Sequence, residues 1–127
     1  MKLVNTVVGV VTLTCLMMVL RAPVNPPDDR WFKAVVVDES RPVLVKFGAE
    51  WCGPCVHMEG VLDELASRVY GRVKIVRIDI DERPDLASHY RVSTIPRVFL
   101  FKSGKVVTSH GGFADAQSMQ TWLERQL

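Results

Sequence analysis

The sequence predicts an α/β domain with a central mixed β-sheet flanked by helices. Short apolar segments of strand length alternate along the chain with segments in which apolar residues recur at helical spacing. The order strand–helix–strand–helix–strand–strand–helix is typical of an α/β sandwich. The chain has 127 residues, of which 48% are hydrophobic, which is enough for one domain with a real core.

The first predicted elements are a helix and a buried strand. Asp28 or Asp29 is placed to cap a helix through residues 31–36, because a carboxylate accepts hydrogen bonds from the N–H groups of a first helical turn. Residues 43–47 form an almost continuous apolar run, which is typical of a central strand buried on both faces.

The next segments predict a helix and a second strand. Apolar residues recur at helical spacing within residues 56–70, and Gly71 follows as a stop signal. Apolar and polar residues then alternate over residues 73–80, which predicts a strand.

The last third predicts a short helix, a hairpin and a closing helix. A proline precedes the short helix at residues 85–90. Residues 97–101 and 106–109 form the two strands of the hairpin, around a turn that contains glycine. The amphipathic helix covers residues 116–127.

An apolar run at residues 3–20 predicts a membrane segment that places the domain outside the cytosol. The run is near the short limit for a span and long for the core of a signal peptide. Arg21 makes a poor cleavage site, so we expect residues 1–21 to be an uncleaved signal-anchor, with a cleaved signal peptide as the alternative. The proline-rich residues 22–27 form a spacer, and the domain occupies residues 28–127. We therefore expect a periplasmic protein anchored to the inner membrane.

Composition excludes two classes of protein. The net charge of +2 is too small, and basic clusters with interleaved aromatic residues are missing, so the sequence does not predict nucleic-acid binding. Three cysteines are too few for a small fold held together by disulfides.

The chemistry is predicted to lie in the segment Trp51-Cys52-Gly53-Pro54-Cys55, between the buried strand and a helix. The N-terminus of a helix stabilises an anion, here the thiolate that attacks disulfides. We expect Cys52 at an exposed helix start, with Cys55 one turn further and able to close a small disulfide. Gly53 permits the tight turn, and Pro54 suits the first helical turn.

A zinc site and a purely structural disulfide are the alternatives to redox chemistry for this cysteine pair. Zinc needs about four ligands, and the remaining cysteine, Cys15, lies in the apolar N-terminal run. A structural disulfide that closes so small a loop stabilises little. Redox chemistry is favoured over both, and no metal is expected.

The chain resembles the thioredoxin family in two segments. Residues 43–55, VLVKFGAEWCGPC, are similar to its active-site strand and loop, and residues 92–101, VSTIPRVFLF, to its second signature. The resemblance covers about residues 28–127 and implies a thioredoxin fold, here with little room for the usual first strand. It also implies a thiol–disulfide oxidoreductase that needs no cofactor besides its own redox-active disulfide.

The resemblance assigns roles to individual residues. Cys52 is the attacking nucleophile and Cys55 the resolving thiol. Trp51, Ile95, Pro96 and Gly112 are expected to form an apolar groove for the substrate chain. The matching proline of the family has a cis peptide bond and lies against the disulfide.

Two positions depart from the family pattern. Lys46 stands where the family usually has a buried aspartate that helps to deprotonate the resolving cysteine. A buried cation would instead favour thiolates and make the disulfide more oxidising, unless its stem simply reaches water. Because Arg77 would repel Lys46, we expect Asp79 to pair with the lysine. Gly48 replaces a bulky aromatic residue, which leaves either open space or room for another side chain.

The expected function is the reduction of protein disulfides. The expected partners are disulfide-containing client proteins and a thiol-transferring reductase that supplies electrons, and the protein is expected to be a monomer. A disulfide oxidase or isomerase is the close alternative, and a redox-inactive module that binds client chains is the alternative from another class.

Overall fold

The structure is a computed structural model that describes residues 26–127. The predicted membrane segment at residues 1–21 and most of the spacer at 22–27 lie outside the described residues, as does the stretch in which a first strand would lie. Within residues 26–127, no helix combines the length and the apolar character that crossing a bilayer requires.

The predicted order of helices and strands is confirmed. The elements are α1 (Arg30–Phe32), a π-helical turn (Lys33–Val37), β1 (Val43–Gly48), α2 (Gly53–Arg68), β2 (Lys74–Asp79), α3 (Pro84–His89), β3 (Arg97–Lys102), β4 (Lys105–His110) and α4 (Ala116–Glu124). Helix α2 begins directly after Cys52, as predicted for the cysteine pair, and α4 ends before the last residues of the chain.

The first helix is capped by the second of the two candidate aspartates. The Asp29 side chain accepts a hydrogen bond of 2.8 Å from the backbone N–H of Phe32. The helix then widens into the π-helical turn, where the Asp38 N–H donates to the Lys33 carbonyl at 2.8 Å. The cap and this turn together place Phe32, which is fully buried, against the sheet.

The described residues form one mixed four-stranded sheet in the order β2-β1-β3-β4. Strands β1 and β2 are parallel, and the other two pairings are antiparallel. In the parallel pair Lys46 is in register with Arg77, and Gly48 with Asp79. All six residues of β1 are buried, so the turn that follows β1 is held by the centre of the sheet.

The two faces of the sheet have separate cores. Helices α2 and α4 cover one face, and α1, the π-helical turn and α3 cover the other. Side chains of a strand alternate between faces, so Leu44 points toward α2 and α4, whereas Val43 and Val45 point away from them. The same alternation places Lys46 and Gly48 on the α2 face, at the end of β1 that leads to the cysteines.

Candidate active site

A disulfide joins Cys52 and Cys55 at the start of α2, with their Cα atoms 5.2 Å apart. Cys52 is the N-cap of the helix, and its Sγ accepts a hydrogen bond of 3.2 Å from the backbone N–H of Cys55. This N–H is one of the donors that a helix start leaves without an intrahelical partner. The same donor and the positive end of the helix dipole would stabilise a thiolate on Cys52 after reduction.

The prediction that Cys52 is exposed is wrong. The residue is 7% exposed and Cys55 is 1% exposed, because Ala49, Ile80 and Ile95 pack around the disulfide. Cys52 is still the more accessible of the two cysteines. The loops that bury it follow β2 and precede β3, so local sequence around the cysteines could not predict their burial.

Trp51 projects from the active-site turn with 70% of its surface exposed. Its indole Nε1–H donates a hydrogen bond of 2.7 Å to a carboxylate oxygen of Asp81, a residue that the sequence motifs did not indicate. The sequence nevertheless contained a signal for the contact between Trp51 and Asp81, because neighbouring parallel strands end at the same edge of a sheet. Asp81 follows the end of β2 just as Trp51 follows the end of β1.

Of the predicted groove residues, Ile95 and Pro96 are adjacent in the chain, and Gly112 lies against Pro96. The Ile95–Pro96 peptide bond is cis, which confirms that prediction, and Ile95 packs against the cysteine pair. A Cβ atom on Gly112 would lie 3.0 Å from Pro96 Cγ and 3.4 Å from Met58 Cε. Only a residue without a side chain fits here unless Pro96 shifts.

Lys46 is the one charged residue that is buried among residues 26–127, and 6% of its surface is exposed. Its ammonium group donates a hydrogen bond to the carboxylate of Glu59 on α2. The predicted pairing with Asp79 is therefore wrong, and the Asp79 side chain instead accepts a hydrogen bond from the backbone N–H of Asp81 at 2.8 Å. The reason is that α2 crosses over Lys46 and brings the Glu59 carboxylate nearer to the ammonium group than β2 brings the carboxylate of Asp79.

Glu59 joins Lys46 to an exposed cluster of charges. Arg77 donates to the second Glu59 oxygen at 2.6 Å and to Asp63 at 2.8 Å. Burial acts to raise the pKa of Glu59, but the hydrogen bonds from Lys46 and Arg77 outweigh it and hold the pKa below its ordinary value. The expected repulsion between Lys46 and Arg77 is thus relieved by a shared carboxylate. Glu59 follows Cys55 by four residues, a spacing that places both on one helix face and could have identified it.

Lys46 fills the space that Gly48 leaves. A Cβ atom on Gly48 would lie 2.7 Å from Lys46 Cε, 2.9 Å from Lys46 Nζ and 3.3 Å from Cys55 Cβ. Of the two outcomes expected for this glycine, the structure shows the filled one. The lysine ammonium and the Cys55 side chain therefore flank the same point.

A cleft of about 460 Å³ opens beside these groups, between β1, β2 and α2. Its lining includes Lys46, Gly48, Cys55, Glu59 and Asp79. Cys55 thus borders a charged cleft and does not lie inside a purely apolar core.

Cys52 and Cys55 form a disulfide at the N-terminus of α2, where the helix also stabilises a thiolate. A pair that can cycle between these two forms defines a thiol–disulfide oxidoreductase. The family model described as thioredoxin matches residues 24–125. The chain belongs to the thioredoxin family.

Individual relatives agree with this assignment. The chain is 36% identical to the thioredoxin of Rickettsia felis over 103 residues, which cover 81% of this chain and 98% of the relative. It is 39% identical to thioredoxin 1 of a Nostoc species over 99 residues, covering 78% of this chain and 92% of the relative. It is 43% identical to the chloroplastic M-type thioredoxin of Chlamydomonas reinhardtii over 88 residues, covering 69% of this chain and 63% of the relative.

Proposed function

We propose that this oxidoreductase reduces disulfide bonds of client proteins outside the cytosol, while residues 3–20 hold it at the membrane. The observation that carries the reductase activity is the Cys52–Cys55 disulfide at the start of α2, in which Cys52 is the more accessible sulfur. Cys52 is accordingly the nucleophile and Cys55 the resolving thiol.

The reaction consists of two exchanges. The Cys52 thiolate attacks one sulfur of the client disulfide, the client S–S bond breaks, and the other client sulfur leaves as a thiolate that takes up a proton. The Cys55 thiolate then attacks the Cys52 sulfur of the mixed disulfide. The Cys52–Cys55 bond forms, the second client thiolate leaves, and two electrons have passed from the dithiol to the client.

The surface beside the disulfide is suited to an extended client chain. Pro96 has no N–H to place in a sheet ladder, which leaves neighbouring backbone groups for a client strand. Trp51 offers an exposed apolar face, and Gly112 leaves room above Pro96. Trp51, Ile95, Pro96 and Gly112 therefore form the proposed client groove, and we expect the protein to act as a monomer.

Each cycle leaves the protein oxidised, so a thiol-transferring reductase must return two electrons to the Cys52–Cys55 disulfide. For a protein outside the cytosol, a membrane protein that passes electrons across the bilayer by thiol–disulfide exchange fits this role. The cysteine pair carries the electrons itself, and the proposed cycle uses neither a metal nor an organic cofactor.

The proposed location rests on the apolar run at residues 3–20. The match to the thioredoxin model begins at residue 24, so this run is additional to the family domain. The test is extraction of membranes with alkaline carbonate, in which an anchored chain stays in the pellet. Recovery of the full-length chain in the supernatant would contradict the anchor.

A disulfide oxidase or isomerase is the second candidate, and the position of Lys46 beside Cys55 favours it. A cation near the thiols stabilises the reduced dithiol and makes the disulfide more oxidising. A reduction potential near about −270 mV would support the reductase, whereas a value above about −180 mV would support the oxidase or isomerase.

Insulin-disulfide reduction by the full chain, with dithiothreitol as electron source, tests the reductase directly. The Cys52→Ser variant is expected to fall to the rate of dithiothreitol alone, since no mixed disulfide can form. An active Cys52→Ser variant would refute Cys52 as the nucleophile. An inactive wild-type protein that still binds unfolded chains would instead support a redox-inactive binding module.

A further inference from the structure

We propose that the Lys46–Glu59 pair sets how readily Cys55 ionises, and so controls the step that resolves the mixed disulfide. This inference rests on the proposed function, because it concerns the second of its two exchanges. Lys46 acts as a positioning residue through its charge and does not contact the client.

The first observation is that Lys46 is directed at Cys55 by its surroundings. Its ammonium lies 2.9 Å, and Cys55 Cβ 3.3 Å, from the point where a Gly48 side chain would begin. Glu59, one helical turn after Cys55, holds the ammonium there by a hydrogen bond. The lysine is thus fixed from below by β1 and from above by α2.

The second observation is the difference in burial among the charges. The Lys46 side chain is 8% exposed, whereas those of Glu59, Arg77 and Asp63 are 39%, 40% and 76% exposed. Solvent screens exposed charges far more than buried ones. The field at Cys55 is therefore dominated by the lysine, and Glu59 reduces that field without cancelling it.

The remaining charged groups of the cleft do not reverse this balance. They come from the turn after β1, from β2 and from the turn after β2, and they are Glu50, Arg77, Asp79 and Glu82. Arg77 is bonded to Glu59 and Asp63, and Asp79 accepts a hydrogen bond from a backbone N–H. A buried cation beside a thiol favours its thiolate, the form that attacks the mixed disulfide.

The test measures the resolving step by itself, in the full chain with Cys15→Ser so that only the active-site pair reacts. Excess Ellman's reagent converts Cys52 into a mixed disulfide with thionitrobenzoate, and attack by Cys55 then releases a second thionitrobenzoate anion. Because the second release is independent of reagent concentration, its rate against pH reports the apparent pKa of Cys55.

Lys46→Met is expected to raise that apparent pKa by about one unit, which lowers the thiolate fraction at neutral pH about tenfold. Since the remaining thiolate is about threefold more reactive, the second release should slow about threefold. The two profiles should cross at high pH, because a thiolate of higher pKa is intrinsically more nucleophilic. Glu59→Gln keeps an acceptor for Lys46 but removes the negative charge. It is therefore expected to lower the apparent pKa of Cys55 and to speed the second release about threefold at neutral pH.

The chain offers a matched control pair. Lys74 and Glu39 form an ion pair at 3.5 Å, at the opposite end of β2 from the cysteines. Lys74→Met and Glu39→Gln should leave the pH profile unchanged. Gly48→Ala is a second variant that keeps every charge, and its Cβ would displace the lysine head, so it should slow the release as Lys46→Met does.

If Lys46→Met and Glu59→Gln shift the pH profile of the second release in opposite directions, the proposal is supported. A Lys46→Met profile that coincides with that of the wild type, or shifts of the two variants in the same direction, would overturn it. If Lys46→Met does not fold, an unchanged profile for Gly48→Ala overturns it instead. The insulin assay is separate, so a wild-type chain that releases thionitrobenzoate in a Lys46-dependent manner but leaves insulin intact refutes only the reductase role.

Discussion

The two faces of the sheet are packed by different kinds of side chain. The face covered by α1 and α3 is aromatic and largely apolar, and its rings come from Phe32, Phe47, Tyr90, Phe99 and Phe101. The face covered by α2 and α4 is built from leucine, valine and methionine. Toward the cysteines that second face ends in a buried charge and a glycine. The difference indicates that both faces stabilise the fold, but that only the second one gives up apolar packing near the cysteines for chemistry.

The largest expected effect is a loss of stability without a loss of activity, caused by a substitution on the aromatic face. Phe101 is 1% exposed, and its ring lies 5.3 Å from that of Tyr90 and 5.7 Å from that of Phe32. It pairs with Val43, at the end of β1 away from the cysteines. Phe101→Ala should lower the free energy of unfolding by about 3–5 kcal/mol in urea titrations, because it leaves a large cavity.

Under conditions where the Phe101→Ala protein is folded, its thionitrobenzoate release should match that of the wild type. A slowed release by folded protein would mean that the aromatic face also tunes the site, and the contrast between the faces would fail.

The opposite face should couple stability to activity. Met58 is 1% exposed on α2, and its Cε lies beneath Gly112 in the client groove. Met58→Ala should cost about 2–5 kcal/mol of unfolding free energy. Because the groove loses its support, we also expect kcat/KM for insulin reduction to fall at least threefold.

Met119→Ala is the matched control, since Met119 is fully buried in the same core but on α4. It should lose similar stability and keep its activity. Equal losses of activity in the two methionine variants would show that destabilisation alone explains the Met58 result.

A smaller effect is expected in the groove itself. Gly112→Ala places a Cβ atom 3.0 Å from Pro96 Cγ, so the proline must shift by a few tenths of an ångström. We expect kcat/KM for insulin to fall about threefold to tenfold, which is about 0.7–1.4 kcal/mol of transition-state stabilisation.

Gly111→Ala controls for the loss of a glycine, because nothing lies within 4 Å of its Cβ position. Its activity should equal that of the wild type. If both variants, or neither, lost activity, the contact between Gly112 and Pro96 would not be what shapes the groove.

The smallest expected effect is a pH dependence of the aromatic face. Burial raises the pKa of Tyr90 from 10.0 to about 12. The unfolded chain therefore ionises first, so stability is retained below pH 10.0 and declines as the pH rises toward about 12. Urea unfolding across this interval should show a smaller decline for Tyr90→Phe. Parallel curves for the two proteins would place Tyr90 in contact with solvent.

Local patterns were sufficient for much of the fold. The apolar run of β1, the cysteine pair and the helical spacing after it predicted the β1–α2 unit. The turn signals predicted the β3–β4 hairpin, and the resemblance supplied the cis peptide bond before Pro96. These features depend on residues close together in the sequence or on a specific motif.

Features that depend on how elements pack were predicted poorly. Strand register is easy to infer and favoured Asp79 as the partner of Lys46, whereas the carboxylate of Glu59 reaches the lysine only through the rotation of α2 over the sheet. Cys52 is buried by loops far away in the sequence. Asp81 was missed because its contact with Trp51 joins two turns that meet only when β1 and β2 pair.

Gly48 also constrains how this sequence can change. Since the Lys46 head occupies the volume above residue 48, a side chain at position 48 must displace the flexible end of Lys46. We therefore expect the two positions to be epistatic: an exchange at position 48 disturbs the Lys46–Glu59 hydrogen bond in this chain, and the same exchange has no such effect once position 46 carries a short side chain.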